Sequence, residues 1–153
     1  MVYWRGRQRT ENIMNKYQHT QPGTLIMLTM LVLAAWMAVG GFFARPLFVG
    51  VPILLVTAWL FHSLTIELTG EELRWRFGPG LISKRVPLTE IASVKIVRTL
   101  FLEGWGIHLS RFGWLYNVSG RGAVAIVLRN GKKFALGTDE PEALCAIIQQ
   151  NLR

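Results

Sequence analysis

Two patterns of apolar residues divide the chain. From Thr24 to Ala44 the sequence TLIMLTMLVLAAWMAVGGFFA runs for 21 residues without a formal charge. At about 1.5 Å rise per residue that is roughly 31 Å of helix, close to the ~30 Å hydrocarbon core of a bilayer. Arg45-Pro46 interrupts the run. A second uncharged stretch continues from Leu47 to Ile66, with Glu67 the first acid. Pro52 lies near its start, where a neighbouring helix can re-satisfy the freed carbonyl. The pattern predicts a membrane α-helical hairpin over 24–63, with helices at 24–44 and 46–63 joined by a tight turn. A secretory signal has an apolar stretch of only about 7–15 residues. A buried core helix is the other competing explanation.

From Thr65 onward the period becomes two. Ile66 and Leu68 alternate with Thr65, Glu67 and Thr69; Leu73, Trp75 and Phe77 alternate with Arg74 and Arg76. That is the signature of half-buried strands. Further strands are expected at Leu81–Val86, Ser93–Thr99, Trp114–Val118, Ala123–Arg129 and Lys132–Gly137, with a short helical turn at Leu88–Ile91. Asn130-Gly131 predicts a two-residue type I′ turn. Asp139 as N-cap, Pro141 in the first turn and Glu142 completing a capping box predict a terminal helix. Its apolar stripe is Leu144, Ile147, Ile148 and Leu152.

Seven short antiparallel strands and one terminal amphipathic helix make an α+β domain. The expected fold is a bent sheet or partly open barrel whose open end the helix caps. The chain thus divides into a basic N-terminal segment (1–23), the hairpin (24–63) and the β-domain (64–153).

Composition sharpens this division. Only 17% of the residues are charged and the mean hydropathy is +0.32, whereas soluble domains carry about 25% charge. A single cysteine, Cys145, excludes a disulfide scaffold and a Cys-rich metal site. The first 23 residues hold Arg5, Arg7, Arg9 and Lys16 against Glu11. The hairpin turn holds Arg45 alone, and the β-domain has twelve basic against eight acidic residues. Basic loops stay on the cytoplasmic side, so both termini are expected there, in a multi-pass protein of the cell membrane. Tyr3, Trp4 and Tyr17 interleave the basic arm, which suits anionic lipid but carries no nucleic-acid-binding motif.

Gly104-Trp105-Gly106-Ile107, the run from Gly113 to Gly120 (GWLYNVSG), Ala123-Val124-Ala125-Ile126, and the run from Gly137 to Leu144 (GTDEPEAL) resemble the bacterial pleckstrin-homology-like (PH-like) domain proteins. Those proteins carry a pair of membrane helices before the domain. The resemblance covers about residues 24–152; the family more often has Arg at the position of His108. It implies a membrane-embedded, non-enzymatic protein and no catalytic residues. Lipid-binding members of the superfamily use basic residues at the first hairpin turn. Here that turn, Thr69-Gly70-Glu71-Glu72, is acidic and would repel an inositol phosphate.

Two surfaces remain as candidates. Phe101–His108, with Phe112 and Trp114, is richer in apolar bulk than a free loop, so Trp105, His108, Arg111 and Trp114 form a candidate interaction surface. Packing of the two tryptophans over a core edge explains the same pattern. Arg74, Arg76, Lys84 and Arg85, with Lys95 and Arg98, lie on successive strands and are candidate lipid-facing residues; a solvated sheet face needs such residues anyway. Lys132-Lys133 reads as edge protection. Small residues spaced by four, Ala34/Ala38 and Gly40/Ala44, serve packing within the hairpin or a homo-oligomer. No His pair at metal-ligand spacing, phosphate loop or Gly-x-Ser-x-Gly motif occurs, and Ser119 has no accompanying His or Asp motif. The expectation is no cofactor, no metal and no catalysis. The function expected is a protein- or peptide-binding adaptor held by membrane lipids through 24–63, with anionic-lipid sensing as the alternative.

Overall fold

The computed structural model describes residues 17–100 and 106–152. Arg5, Arg7, Arg9, Lys16 and Trp105 lie outside the described residues. The elements in chain order are β1 (Tyr17–Pro22), α1 (Thr24–Gly41), a 3-10 turn (Arg45–Val49), α2 (Gly50–Leu60), β2 (Ser63–Leu68), β3 (Glu72–Phe77) and β4 (Ile82–Pro87). After a second 3-10 turn (Leu88–Glu90) come β5 (Ile91–Arg98), β6 (Gly106–Ser110), β7 (Gly113–Asn117), β8 (Gly122–Leu128), β9 (Lys133–Gly137) and α3 (Pro141–Asn151).

The fold is α+β, but it is not one seven-stranded antiparallel sheet. Nine strands among the described residues form a four-stranded sheet, β1-β2-β3-β4, and a five-stranded sheet, β5-β8-β9-β7-β6. β7 and β9 pair in parallel. Two strands were hidden in the sequence. β1 directs Tyr17, His19 and Gln21 to the face shared with Leu68, Ile66 and Leu64, so its inward residues are mostly polar and show no apolar period. In β6 the outer half is wet, with Leu109 exposed. β9 is central rather than an edge, so Lys133 is a sheet-face residue and protects no edge.

The sheets face each other across one core. Leu64, Ile66, Leu68, Leu73, Trp75 and Phe77 come from one sheet, and Tyr116, Val124, Ile126, Phe134 and Leu136 from the other. Trp75 stacks on Phe134 with ring centroids 4.9 Å apart and meets Tyr116 edge-on at 5.3 Å, geometries that aromatic pairs prefer. α3 packs on β5 and β8 and sends Leu144 and Ile148 into the same core. A smaller cluster lies on the opposite face of the five-stranded sheet. There Leu115, Ala123 and Ala135 are covered by Phe112 from the β6–β7 turn, and the alanines leave room for its ring.

Three local expectations change. The Asn130-Gly131 turn is not type I′, because no described non-glycine residue has positive φ. Gly131 N donates to Leu128 O at 2.9 Å, and Gly131 alone is left-handed (φ 83°). That is a three-residue loop, a type I turn closed by a glycine bulge. Asp139 does not cap α3: the N-cap is Glu140, with no side-chain cap bond. The Asp139 carboxylate instead meets His19 Nε2 at 2.6 Å. The first helix ends at Gly41 rather than Ala44, and the second is an 11-residue helix preceded by a 3-10 turn. Pro46 explains that turn, since proline favours a helical start and cannot donate.

Candidate functional site: the apolar hairpin and its seat

α1 and α2 pack as an antiparallel pair. Ile26, Met30, Ala34, Met37, Ala38 and Gly41 recur on one face of α1, the face that is buried or half-buried. Small residues let the backbones approach. A methyl on Gly40 would meet Leu47, one on Gly41 would meet Phe48, and one on Gly50 would meet Met37. Ala34 and Ala58 are buried, so the small residues of α1 are used at least in part within the hairpin.

The remaining surface of the hairpin is apolar and uncovered. Leu28, Leu31, Val32, Leu33 and Val39 on α1, and Ile53, Leu55, Val56 and Trp59 on α2, are exposed; Trp36 is 71% exposed and Phe43, at the tip, 91%. Only 17% of α1 is buried, whereas a soluble core helix of this composition is buried nearly all round. α1 is the one helix among the described residues long and apolar enough to cross a membrane, with mean hydropathy 2.0 over 18 residues. α2 and its preceding turn, Arg45–Leu60, form a shorter apolar segment.

The feet of the hairpin are built into the sandwich. Gly23 N donates to His62 O at 2.7 Å, so both helices start and finish at one level. Ile26 belongs to the β-core, and Met30 and Phe61 pack against it. Phe61 meets Phe77 edge-on at 5.2 Å. At the edge of the four-stranded sheet, β1 is clamped to the start of α3. Its His19 contacts Asp139, and the Tyr17 hydroxyl donates to Glu140 Oε2 at 3.5 Å. Gln21, buried, donates from Nε2 to Ser119 O at 3.0 Å. Sequence reasoning missed this seat because every partner of β1 lies more than 40 residues away.

Tyr17 of this clamp carries a shifted phenol. Burial first, and the neighbouring Glu140 charge second, push the Tyr17 phenol up from 10.0 to about 12. The folded state therefore holds this proton more tightly than the unfolded chain. The stabilisation is complete below about pH 10 and is lost as pH rises through about 12. Alkaline titration of the protein is expected to release β1 in that window, read as loss of amide-exchange protection at β1 and β2. Tyr17→Phe is expected to remove the pH dependence; a Tyr17→Phe protein with the same alkaline transition would contradict the assignment.

The candidate basic residues divide. Arg74, Arg76 and Arg85 share the outer face of the four-stranded sheet, along a groove of about 700 Å³ that also holds Thr65, Glu67 and Ser83. Each reaches a carboxylate: Arg74 pairs with Glu72, Arg76 with Glu67 at 3.3 Å and Arg85 with Glu72 at 3.9 Å. Lys84 is on the other face of β4, its Nζ 5.4 Å from the Tyr116 ring centre. Lys95 lies in the other sheet, beside Lys133 and Phe112 in a cavity of about 260 Å³. Arg98 lies in the same strand, β5.

The candidate interaction residues divide too. His108 pairs across the sheet with Leu115, on the face that Phe112 covers, and its Nε2 is buried with no partner. Arg111 folds over the Phe112 ring and donates to Arg98 O at 2.8 Å. Trp114 points to the opposite face beside Leu109; the pair is exposed, Trp114 by 52%. The Tyr116–Gly120 block is an Asx turn. Asn117 Oδ1 accepts from Ser119 N and its Nδ2 donates to Gly120 O, which occupies the buried amide structurally. Burial raises the Cys145 thiol above its ordinary value, the opposite of an activated cysteine. Among the described residues no group of three His, Cys, Asp or Glu side chains could hold a metal ion. No protein-family model and no curated protein matches this chain.

Proposed function

We propose that the chain is a membrane-anchored, non-enzymatic adaptor. The hairpin is embedded in the cytoplasmic membrane, and the β-domain presents a protein- or peptide-binding surface at the inner face. The observation that carries the reading is the sheath of exposed apolar side chains around α1, α2 and their tip. So large an uncovered patch is unfavourable in water and marks a membrane or partner contact. A leader cleaved after the first apolar run would take with it β1, a paired strand, and Ile26, a core residue, which speaks against a signal peptide.

The Gly23–His62 bond places both feet together. If α1 crosses the bilayer, α2 returns to the same side, giving a multi-pass protein with both termini in the cytoplasm. Arg45, the single formal charge between Thr24 and Ile66, then lies at the far side. The domain is read as PH-like on the sequence resemblance and on the terminal helix that packs on β5 and β8; the division into two sheets and the parallel β7–β9 pair depart from the single antiparallel, partly open barrel expected.

The adaptor surface is assigned to the exposed Leu109–Trp114 pair on the edge of the five-stranded sheet. Anionic-lipid sensing through Arg74, Arg76, Lys84 and Arg85 draws less support, because Glu67 and Glu72 offset three of these cations and the fourth faces away. A photo-crosslinking residue in place of Trp114, in intact membranes, is expected to give a discrete protein adduct that Leu109→Asp abolishes. Adducts to lipid alone, or adducts indifferent to Leu109→Asp, would contradict the adaptor assignment.

A further inference from the structure

We infer that the hairpin end of the β-sandwich is itself a membrane-contact surface, pressed against the near leaflet through Trp59, Leu81 and Leu100. The inference rests on the reading of α1 and α2 as lipid-embedded; it adds where the bilayer surface meets the folded domain and by what chemistry.

The first ground is length. α1 has 18 residues, and at about 1.5 Å per residue it rises ~27 Å against a hydrocarbon core of ~30 Å. Arg45 lies just past its end. A cation left near the bilayer centre costs about 2.5–3.5 kcal/mol, and a long side chain can snorkel only the last few ångströms. Arg45 reaches the far headgroups only if every turn of α1 is used. The near surface of the bilayer then falls at the level of Gly23 and His62, where the helices meet the sandwich. The domain cannot swing away from that level, because Ile26, Met30 and Phe61 are packed into or against its core.

The second ground is what stands at that level. The β3–β4 turn, Gly78 to Leu81, is held against the foot of α2: Gly78 N donates to Ser63 O at 2.9 Å, and a Cβ on Gly78 would meet the Leu60 and Trp59 carbonyls. The β7–β8 turn brings Val118 beside Gly23, and Thr99 N donates to Arg121 O at 2.9 Å, which places the end of β5 there as well. From this rim Leu81 projects with 72% of its surface exposed, and Trp59 and Leu100 are exposed at the same end of the sandwich. Tryptophan at such a level is characteristic of membrane interfaces. At the far end of the sandwich Glu71, Glu90, Arg129 and Lys132 are exposed.

The third ground is charge. Arg98 and Arg121 stand at the rim, but Asp139 and Glu142 line the same groove. The contact is therefore apolar in character and independent of anionic lipid, unlike the sensing surface that basic strand residues would provide.

The test is collision accessibility of nitroxide labels on the full chain in vesicles of phosphatidylcholine alone, in a Cys145→Ala background. Labels are placed at Leu81→Cys, at Ile53→Cys in the hairpin and at Lys132→Cys at the far end. The expected result is that Leu81→Cys loses access to a water-soluble nickel chelate relative to Lys132→Cys, while Ile53→Cys collides with oxygen and not with nickel. A Leu81→Cys label as open to nickel as Lys132→Cys, with Ile53→Cys still in lipid, overturns this inference and leaves the hairpin reading standing. An Ile53→Cys label open to nickel overturns both. Protection of Leu81→Cys that appears only on adding phosphatidylglycerol overturns the apolar character of the contact.

Discussion

Trp75→Ala is expected to destabilise the sandwich by about 3–5 kcal/mol, the range for removing a large aromatic from a packed interior. Trp75 is 3% exposed and stands where the sheets meet, stacked on Phe134 and edge-on to Tyr116. Alanine would leave a void between two sheets that share this cluster, so the loss should appear as cooperative unfolding of the whole domain. Trp75→Phe separates packing from polarity. The indole Nε1 is buried without a partner, and an unsatisfied donor costs about 1–3 kcal/mol. Phenylalanine removes that donor and keeps one ring, so the two effects offset and the net change should be small. Denaturant titration of the full chain in mild detergent checks both variants. A Trp75→Ala protein as stable as the parent would mean that the sheets do not share one core.

The second large effect belongs to the hairpin. Val32 and Ile53 are exposed on α1 and α2, each about 14 Å from the feet at 1.5 Å per residue. Val32→Lys combined with Ile53→Lys would bury two cations near the bilayer centre, at about 2.5–3.5 kcal/mol each. The expected outcome is release of the double variant from membranes into the soluble or aggregated fraction, with the sandwich core intact in the folded part. If the hairpin were instead a water-exposed arm, two lysines would improve solubility and leave membrane association unchanged. Lysine at Ala34 is a poor substitute, because Ala34 is buried within the hairpin and its replacement would confuse packing with insertion.

The β-core and the hairpin differ in how far local sequence specifies them. β3 is legible because Arg74 and Arg76 interrupt Leu73, Trp75 and Phe77 at period two, and the structure sends the two sets to opposite faces. The apolar hairpin is legible as an uncharged run, but its seat is not. The burial of Ile26 and Phe61 against β-strands is a long-range fact with no local signal. β1 is silent for the same reason: His19 and Gln21 face inward because Asp139 and Ser119 meet them, and polar inward positions erase the apolar alternation. The displaced cap of α3 follows directly, since Asp139 serves His19 instead. Asn130-Gly131 marks the place of a turn correctly and its type incorrectly, because only Gly131 takes up positive φ. Of the candidate surfaces, exposure at Trp114 is not legible, because packing over a core edge accounts for the same residues; in the structure the ring is 52% exposed. The division of Arg74, Arg76 and Arg85 from Lys84 follows from simple alternation along β3 and β4. Their carboxylate partners were harder to foresee, since Glu67 comes from the neighbouring strand and Glu72 bridges two of them.

The proposed adaptor role depends on the hairpin crossing the membrane as a unit, with Arg45 on the side opposite the β-domain. The direct measurement is labelling of Arg45→Cys, in a Cys145→Ala background, with a membrane-impermeant maleimide applied to intact cells and to inverted membrane vesicles. The account predicts labelling in intact cells and protection in sealed inverted vesicles. Labelling only in the inverted vesicles would place the tip on the same side as the domain, and the membrane-spanning reading would be wrong.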